Sequence, residues 1–145
     1  MRYLTVSSRS HAEMIDITSR VEELIPENFS GVCHLFCIHT TAGLTVNENA
    51  DPDVRHDILY AQERCVPWRD SAYQHIEENS AAHVKASMMG FDLTLPIDGG
   101  RLALGTWQGI YLCEFDGPRP RRIAVSFIAS LDEDECCMLE QDRDD

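Results

Sequence analysis

The stretch Phe91-Asp-Leu-Thr-Leu-Pro-Ile-Asp-Gly-Gly-Arg-Leu-Ala-Leu-Gly105 decides the fold. Phe91, Leu93, Leu95 and Ile97 alternate strictly with Asp92, Thr94, Pro96 and Asp98, the period of a strand with one buried face. Asp98-Gly99-Gly100 offers residues that tolerate positive φ, so it predicts a hairpin turn, and Arg101 to Gly105 predicts the returning strand. Two further apolar runs, Ile110 to Phe115 and Ile123 to Ile128, are joined through Asp116-Gly117-Pro118, so the second half reads as a meander of about four strands. Upstream, Leu4 and Val6 alternate with Tyr3, Thr5 and Ser7, and Met14, Ile15 and Ile17 follow a polar turn. Val32 to His39 is apolar on both faces apart from His34 and His39, which suits a strand in the middle of a sheet.

Helices interrupt this pattern three times. Ser19 with Glu22 has the spacing of a capping box, Val21, Leu24 and Ile25 form a short apolar stripe, and Pro26 stops it. Asp51-Pro52 supplies an N-cap with proline at the first helical position, and Val54, Ile58, Ala61 and Cys65 mark the expected buried stripe of a helix ending before Pro67. His75 to Met89 predicts a turn of helix and a further helix, with Gly90 as its stop. The fold class is α+β: one domain over residues 1–131 with about three helices, then an acidic tail, 132–145, expected to be disordered.

With 145 residues the chain can build one full core without staples. No apolar run approaches the ~20 residues needed to span a bilayer and no export signal is read at the N-terminus, so a soluble, cytoplasmic protein is expected. Cys33 and Cys37 are too far apart along an extended strand to bridge, and no C-x-x-C pair exists, which argues against a disulfide framework, a zinc ribbon or a thioredoxin-like motif. The formal net charge is −13, of which the tail contributes −7; the body remains acidic, and neither nucleic acid nor a membrane is an expected partner.

Two glycine-containing corners follow apolar runs: His39-Thr40-Thr41-Ala42-Gly43 and Leu104-Gly105-Thr106-Trp107-Gln108. Each delivers hydrogen-bonding side chains to a strand end, and together they suggest one shared site. The plainer alternatives are that Trp107 is a core residue and His39 a satisfied half-buried histidine. His75, Asn79 and His83 fall at i, i+4, i+8; on one unbroken helix the two histidines would stand about 12 Å apart, so a shared metal needs a break near Asn79. A solvated helix face is the competing reading. P-loop and dinucleotide motifs are absent, which leaves Arg119, Arg121, Arg122 and Lys85 as candidates for an anionic ligand.

The strings His39-Thr-Thr-Ala-Gly-Leu-Thr-Val-Asn-Glu48, Ala82-His-Val-Lys-Ala-Ser87, Gly100-Arg-Leu-Ala-Leu-Gly-Thr-Trp-Gln-Gly-Ile110 and Glu114-Phe-Asp-Gly-Pro-Arg119 together resemble the YjbQ-like family, over nearly the whole chain to about Ser130. The resemblance implies a mixed or antiparallel sheet with a barrel-like curl flanked by helices, assembled as a homotrimer with clefts near subunit boundaries. It also implies a thiamine-phosphate synthase activity, secondary in that family, that joins hydroxymethylpyrimidine diphosphate to thiazole phosphate with release of diphosphate. Carried onto matching positions, it places His39, Asn47, Glu48, Asp51, His83, Trp107 and Gln108 at the site, where we read His39, Glu48, Asp51 and His83 as catalytic. Thr40, Thr41, Asn47, Trp107 and Gln108, with Lys85, Arg119 and Arg121 from the basic candidates, are read as substrate-binding.

Glu48 and Asp51 could hold magnesium on the leaving diphosphate, with Lys85 and Arg119 or Arg121 offsetting its charge. Trp107 would stack on a flat ring and Gln108 would bond its edge. His39, His75 and His83 are the candidate ligands for zinc or a similar ion. Two other readings stand beside the synthase: a metal-dependent hydrolase of a small phosphate ester, and a non-catalytic trimer that binds a ligand or ion.

Overall fold

The computed structural model describes residues 1–131; the acidic tail, with Cys136 and Cys137, lies outside them. Strands β1 (Arg2–Ser7), β3 (Gly31–Cys37), β5 (Asp92–Asp98), β6 (Arg101–Leu102) and β8 (Pro120–Ala129) form a five-stranded sheet in the order β1-β8-β3-β5-β6. Strands β2 (Glu13–Asp16), β4 (Ala42–Glu48) and β7 (Gln108–Glu114) form a second sheet in the order β2-β7-β4. Every strand pairing among the described residues is antiparallel, and the sheets curl toward each other as a half-barrel. Helices α1 (Thr18–Glu22), α2 (Pro52–Cys65) and α3 (Ser80–Met89) complete the α+β domain.

Two apolar layers explain this arrangement. Between the sheets, Leu4, Val6, Cys33, Leu35, Leu95, Ile97, Ile123 and Val125 of the large sheet meet Leu44, Ile110 and Leu112 of the small one. On the other face of the small sheet, Tyr111, Cys113 and Phe115 pack with Ala82 and Ala86 of α3 and with Ile58 and Leu59 of α2. Strand β7 is therefore covered on both sides, and full burial of each of its large side chains is worth roughly 1.5–3 kcal/mol. Cys33, Cys37 and Cys113 are free and buried; burial pushes the Cys33 thiol up to about 11, and burial with a smaller contribution from Cys37 pushes the Cys113 thiol up to about 12. They are inert fillers of the core.

The Asp98–Arg101 hairpin forms as its sequence predicts, with Gly99 and Gly100 at φ of 55° and 85°, but the meander does not. Strand β6 has only two residues, β7 crosses to the other sheet between β2 and β4, and β8 inserts between β1 and β3. Residues 116–118 thus connect two sheets. The expected capping box is also absent: α1 starts at Thr18 without a side-chain cap at its N-cap residue, because Asp16, not Ser19, accepts from the Thr18 backbone N–H at 2.9 Å and from its hydroxyl at 2.6 Å. Helix α2 has its Asp51 cap, but none of its residues is fully buried; it lies on the protein's outside, with Ala61 and Cys65 exposed.

Among the described residues, no helix is long and apolar enough to cross a membrane.

Candidate functional site

Strand β3 ends at Cys37, and the corner it leads into carries His39, Thr40 and Thr41 beside the first residues of β8 and the start of α3. A hollow of about 280 Å³ opens there, lined by His39, Thr40, Thr41, His83, Arg119 and Arg121, with Asn79 and Glu77 also on its wall. Its floor is rigid. Arg121 is 2% exposed and donates from Nε to Glu114 Oε1 at 2.9 Å and from Nη2 to Glu114 Oε2 and to Thr41 Oγ1, the last at 2.8 Å. Glu114 is fully buried and also accepts from the Ser8 hydroxyl at 2.6 Å. Burial raises the Glu114 pKa, but hydrogen bonds from Arg121 and Ser8 outweigh it and hold the carboxyl below the usual glutamate value.

His39 is held by its backbone surroundings. Its Nε2 accepts from the Arg122 backbone N–H at 2.8 Å, which leaves the proton of the neutral ring on Nδ1. Burial, followed by the charge of Arg121, lowers its pKa, with Arg119 and Arg122 adding to the effect and Glu114 only partly opposing it. The field at this histidine is net positive, and the ring is neutral near pH 7. Arg119 donates to Asp116 Oδ2 at 3.1 Å, and Asn79 Nδ2 donates to the same oxygen at 3.0 Å, so the rim is also braced. The Asn79 Oδ1 is buried without a partner among the described residues.

The break that sequence spacing required near Asn79 exists. Residues 75–78 form a turn, Glu78 takes a left-handed φ of 58°, and α3 begins only at Ser80. This brings the His75 and His83 rings to 5.4 Å, edge to face at 86°. These two rings with His39 do not make a zinc set: the His39 Nε2 lone pair is occupied, and among the described residues no three His, Cys, Asp or Glu side chains converge as ligands would. Lys85 also turns away. It is 5% exposed, and its ammonium pairs with Glu63 of α2, fastening α3 to α2 beneath the small sheet.

The other predicted residues lie at the far end of the β4–β7 ladder. Ala42 pairs with Glu114 at the hollow, and Glu48 pairs with Gln108 six steps on, about 20 Å away at strand rise. The two sequence corners therefore do not meet within one chain. Trp107 is 62% exposed, which overturns the reading of it as core. Gln108 Oε1 accepts from the Gly105 N–H at 2.8 Å and closes its own turn. Asn47 Oδ1 accepts from the Glu48 N–H at 2.7 Å, and Asp51 Oδ1 caps α2 through the Asp53 N–H at 2.9 Å. The Glu48 carboxylate is half-buried and has no hydrogen bond among the described residues.

Glu114, Ser8 and Asp116 are the residues that sequence reasoning did not place at the site. Glu114 and Asp116 stand in the Glu114-Phe-Asp-Gly-Pro-Arg119 string, an acid at the end of a fully apolar strand, which is a readable sign of a buried partner. Ser8 carries no such sign.

Residues 2–130 match the model of the family described as UPF0047 protein YjbQ-like. The chain belongs to the YjbQ/UPF0047 family. It is 48% identical over 130 residues to UPF0047 protein YugU of Bacillus subtilis, covering 88% of this chain and 98% of YugU. Among solved structures, a YjbQ/UPF0047 family protein of Clostridium acetobutylicum superposes with a TM-score of 0.84 at 45% identity, covering 88% of this chain and all of that one. The conserved hypothetical protein TT1486 of Thermus thermophilus gives 0.85 at 39% identity with the same coverage. The YjbQ-like strings fall at both ends of the β4–β7 ladder, at the hollow and at the Glu48–Trp107 end.

Proposed function

We propose that this YjbQ-family chain is a transferase of the thiamine-phosphate synthase type that works as a homotrimer, joining a pyrimidine diphosphate to a thiazole phosphate. The observation that carries the reading is the hollow at the β3–β4 corner, where two arginines, two threonines and two histidines line one cavity and the arginine charges outweigh Glu114 at His39. Phosphate is the ligand such a set recognises. Arg121 cannot reorient, because Glu114 and Thr41 hold it; its charge is matched by Glu114, so it fixes the floor while Arg119 at the rim is the cation that meets a bound anion. His39 presents Nδ1–H as a donor, and Thr40 adds a hydroxyl.

The separation of the two corners is the reason for the trimer in this reading. Glu48, Asp51 and Trp107 of a neighbouring copy complete the cleft that the hollow begins, a head-to-tail contact that closes as a ring. Glu48 and Asp51 are the residues that would hold magnesium. Among the described residues, Asp51 keeps one oxygen free of the α2 cap and Glu48 keeps both, the carboxylate donors that an ion retaining most of its waters and riding on substrate phosphates takes. When bound, magnesium supplies charge compensation for the leaving diphosphate. The exposed Trp107 indole offers a face to a flat ring.

The test is thiamine phosphate formation from both substrates with magnesium, comparing wild type with Glu48→Ala and His83→Ala at matched trimer content by sedimentation. Both variants are expected to keep the assembly and lose turnover. Absence of wild-type turnover above the uncatalysed rate refutes the synthase assignment.

A further inference from the structure

A second hollow, of about 390 Å³, opens in the connection between α2 and α3. Trp68 and Tyr73 wall it, Arg69 and Gln74 supply polar edges, and His75 closes the side that faces the basic hollow. Because His75 lines one cavity and His83 the other, and their rings stand 5.4 Å apart, the two hollows are separated by one pair of imidazoles. We propose that the two hollows are halves of one site for a phosphorylated flat heterocycle, its ring against Trp68 and Tyr73 and its phosphate on His39, Thr40 and Arg119. The chemical class of the ligand rests on the synthase reading; the seat of the ring does not follow from it, since that reading placed a ring at Trp107.

Three features support this seat. Both aromatic walls are fixed before any ligand arrives: the Trp68 ring meets the His11 ring at 4.2 Å and 89°, the Trp68 backbone N–H anchors its main chain to Glu63 Oε1 at 2.9 Å, and the Tyr73 hydroxyl donates to the Pro67 carbonyl at 3.0 Å. Preorganised walls avoid the ordering cost that a flexible loop incurs on binding. The connection is also long, residues 66–79, and Glu78 adopts the left-handed region at a non-glycine position, a strained conformation of the kind that collects at ligand sites. Finally, small-molecule sites span about 300–1,000 Å³. The basic hollow alone falls below that range and the aromatic one sits near its lower end, so a phosphate-sized hollow beside a ring-sized one matches the two parts of such a ligand.

The chain holds two tryptophans, Trp68 and Trp107, so each can be made the sole reporter. Full-length Trp107→Phe and Trp68→Phe are titrated with thiazole phosphate, with the dephosphorylated thiazole alcohol and with inorganic phosphate, following indole emission. Saturable quenching in Trp107→Phe by the phosphorylated ring is expected, with affinity about tenfold weaker for the alcohol or after Arg119→Ala, and no quenching by inorganic phosphate. A response carried by Trp107 with Trp68 silent overturns the shared site while leaving the synthase reading intact, as does equal quenching of Trp68 by inorganic phosphate. No calorimetric binding of thiazole phosphate to wild type takes down both.

Discussion

The two ends of the β4–β7 ladder are built to different standards. At the Ala42–Glu114 end, a fully buried glutamate, a buried arginine, a buried threonine and Ser8 satisfy one another, and the groups facing the hollow are held on that frame. At the Glu48–Gln108 end, an indole stands 62% exposed, a carboxylate is unpartnered among the described residues, and Asn47 and Gln108 bond only to nearby backbone. The Glu114–Arg121 frame of the first end is satisfied within one chain. The second leaves an indole face and a carboxylate open to solvent, and it is there that the proposed neighbour would sit. Rigid placement and incompleteness are thus divided between opposite ends of one strand pair.

The largest expected effect breaks the complete end. Glu114→Ala or Arg121→Ala leaves one buried charge unpaired and is expected to cost about 3–5 kcal/mol, whereas Glu114→Leu with Arg121→Met should recover most of that loss. Denaturant midpoints of the two singles and the double measure it; equal stability of singles and wild type contradicts the role assigned to the pair.

Next comes Gly109→Ala beside the open end. A Cβ there would fall 2.4 Å from Asn49 Nδ2, and Asn49 in turn donates to Asp16 Oδ2 at 3.1 Å. The displaced side chain should cost about 1–3 kcal/mol by the same measurement. A neutral substitution would mean that this end is looser than its geometry.

Acid sharpens the contrast between the ends. Glu114 has a folded pKa below its unfolded value, so its contribution is fully present above about pH 5 and is lost as pH falls through the unfolded value toward the folded one. His39 also has a lowered folded pKa; its neutral burial stabilises the fold fully above about pH 7 and the contribution shrinks as pH falls through its unfolded value. Stability followed from pH 8 to 3 should therefore fall in two stages in wild type, and the lower stage should be reduced in Glu114→Leu with Arg121→Met.

The smallest stability effect is expected at Trp107. Trp107→Ala should change the denaturation midpoint by less than about 0.5 kcal/mol, against about 3–5 kcal/mol for a core tryptophan, yet abolish turnover. A large loss of stability would show that Trp107 packs inside the chain.

Much of the fold was legible because period-2 alternation and turn chemistry are local. The 91–105 stretch predicted β5 and the Gly99-Gly100 turn, and Asp51-Pro52 predicted the start of α2. Strand adjacency was not legible. The turn at 116–118 looks like any hairpin connection, and only the apolar character of β7 on both faces hints that it lies in a different sheet from β8. At the site, the sequence marked His39 with His83 and, separately, Arg119, Arg121 and Arg122; that His39, His83, Arg119 and Arg121 line one hollow was not legible. The use of Lys85 as a tie to Glu63 was not either, since a lysine two residues after His83 carries no mark of which helix face it shares. Nor could spacing tell that the second corner sits one strand length away.

That separation makes subunit complementation the most direct test of the shared trimeric site. Glu48→Ala and His83→Ala chains, each inactive alone, are unfolded, mixed in equal amounts and refolded, and thiamine phosphate formation is measured. If each site takes its His83 end from one copy and its Glu48 end from the next, a random mixture restores about a quarter of the wild-type sites. Turnover near a quarter of wild type is the predicted result; a mixture as inactive as its components contradicts a site shared between copies.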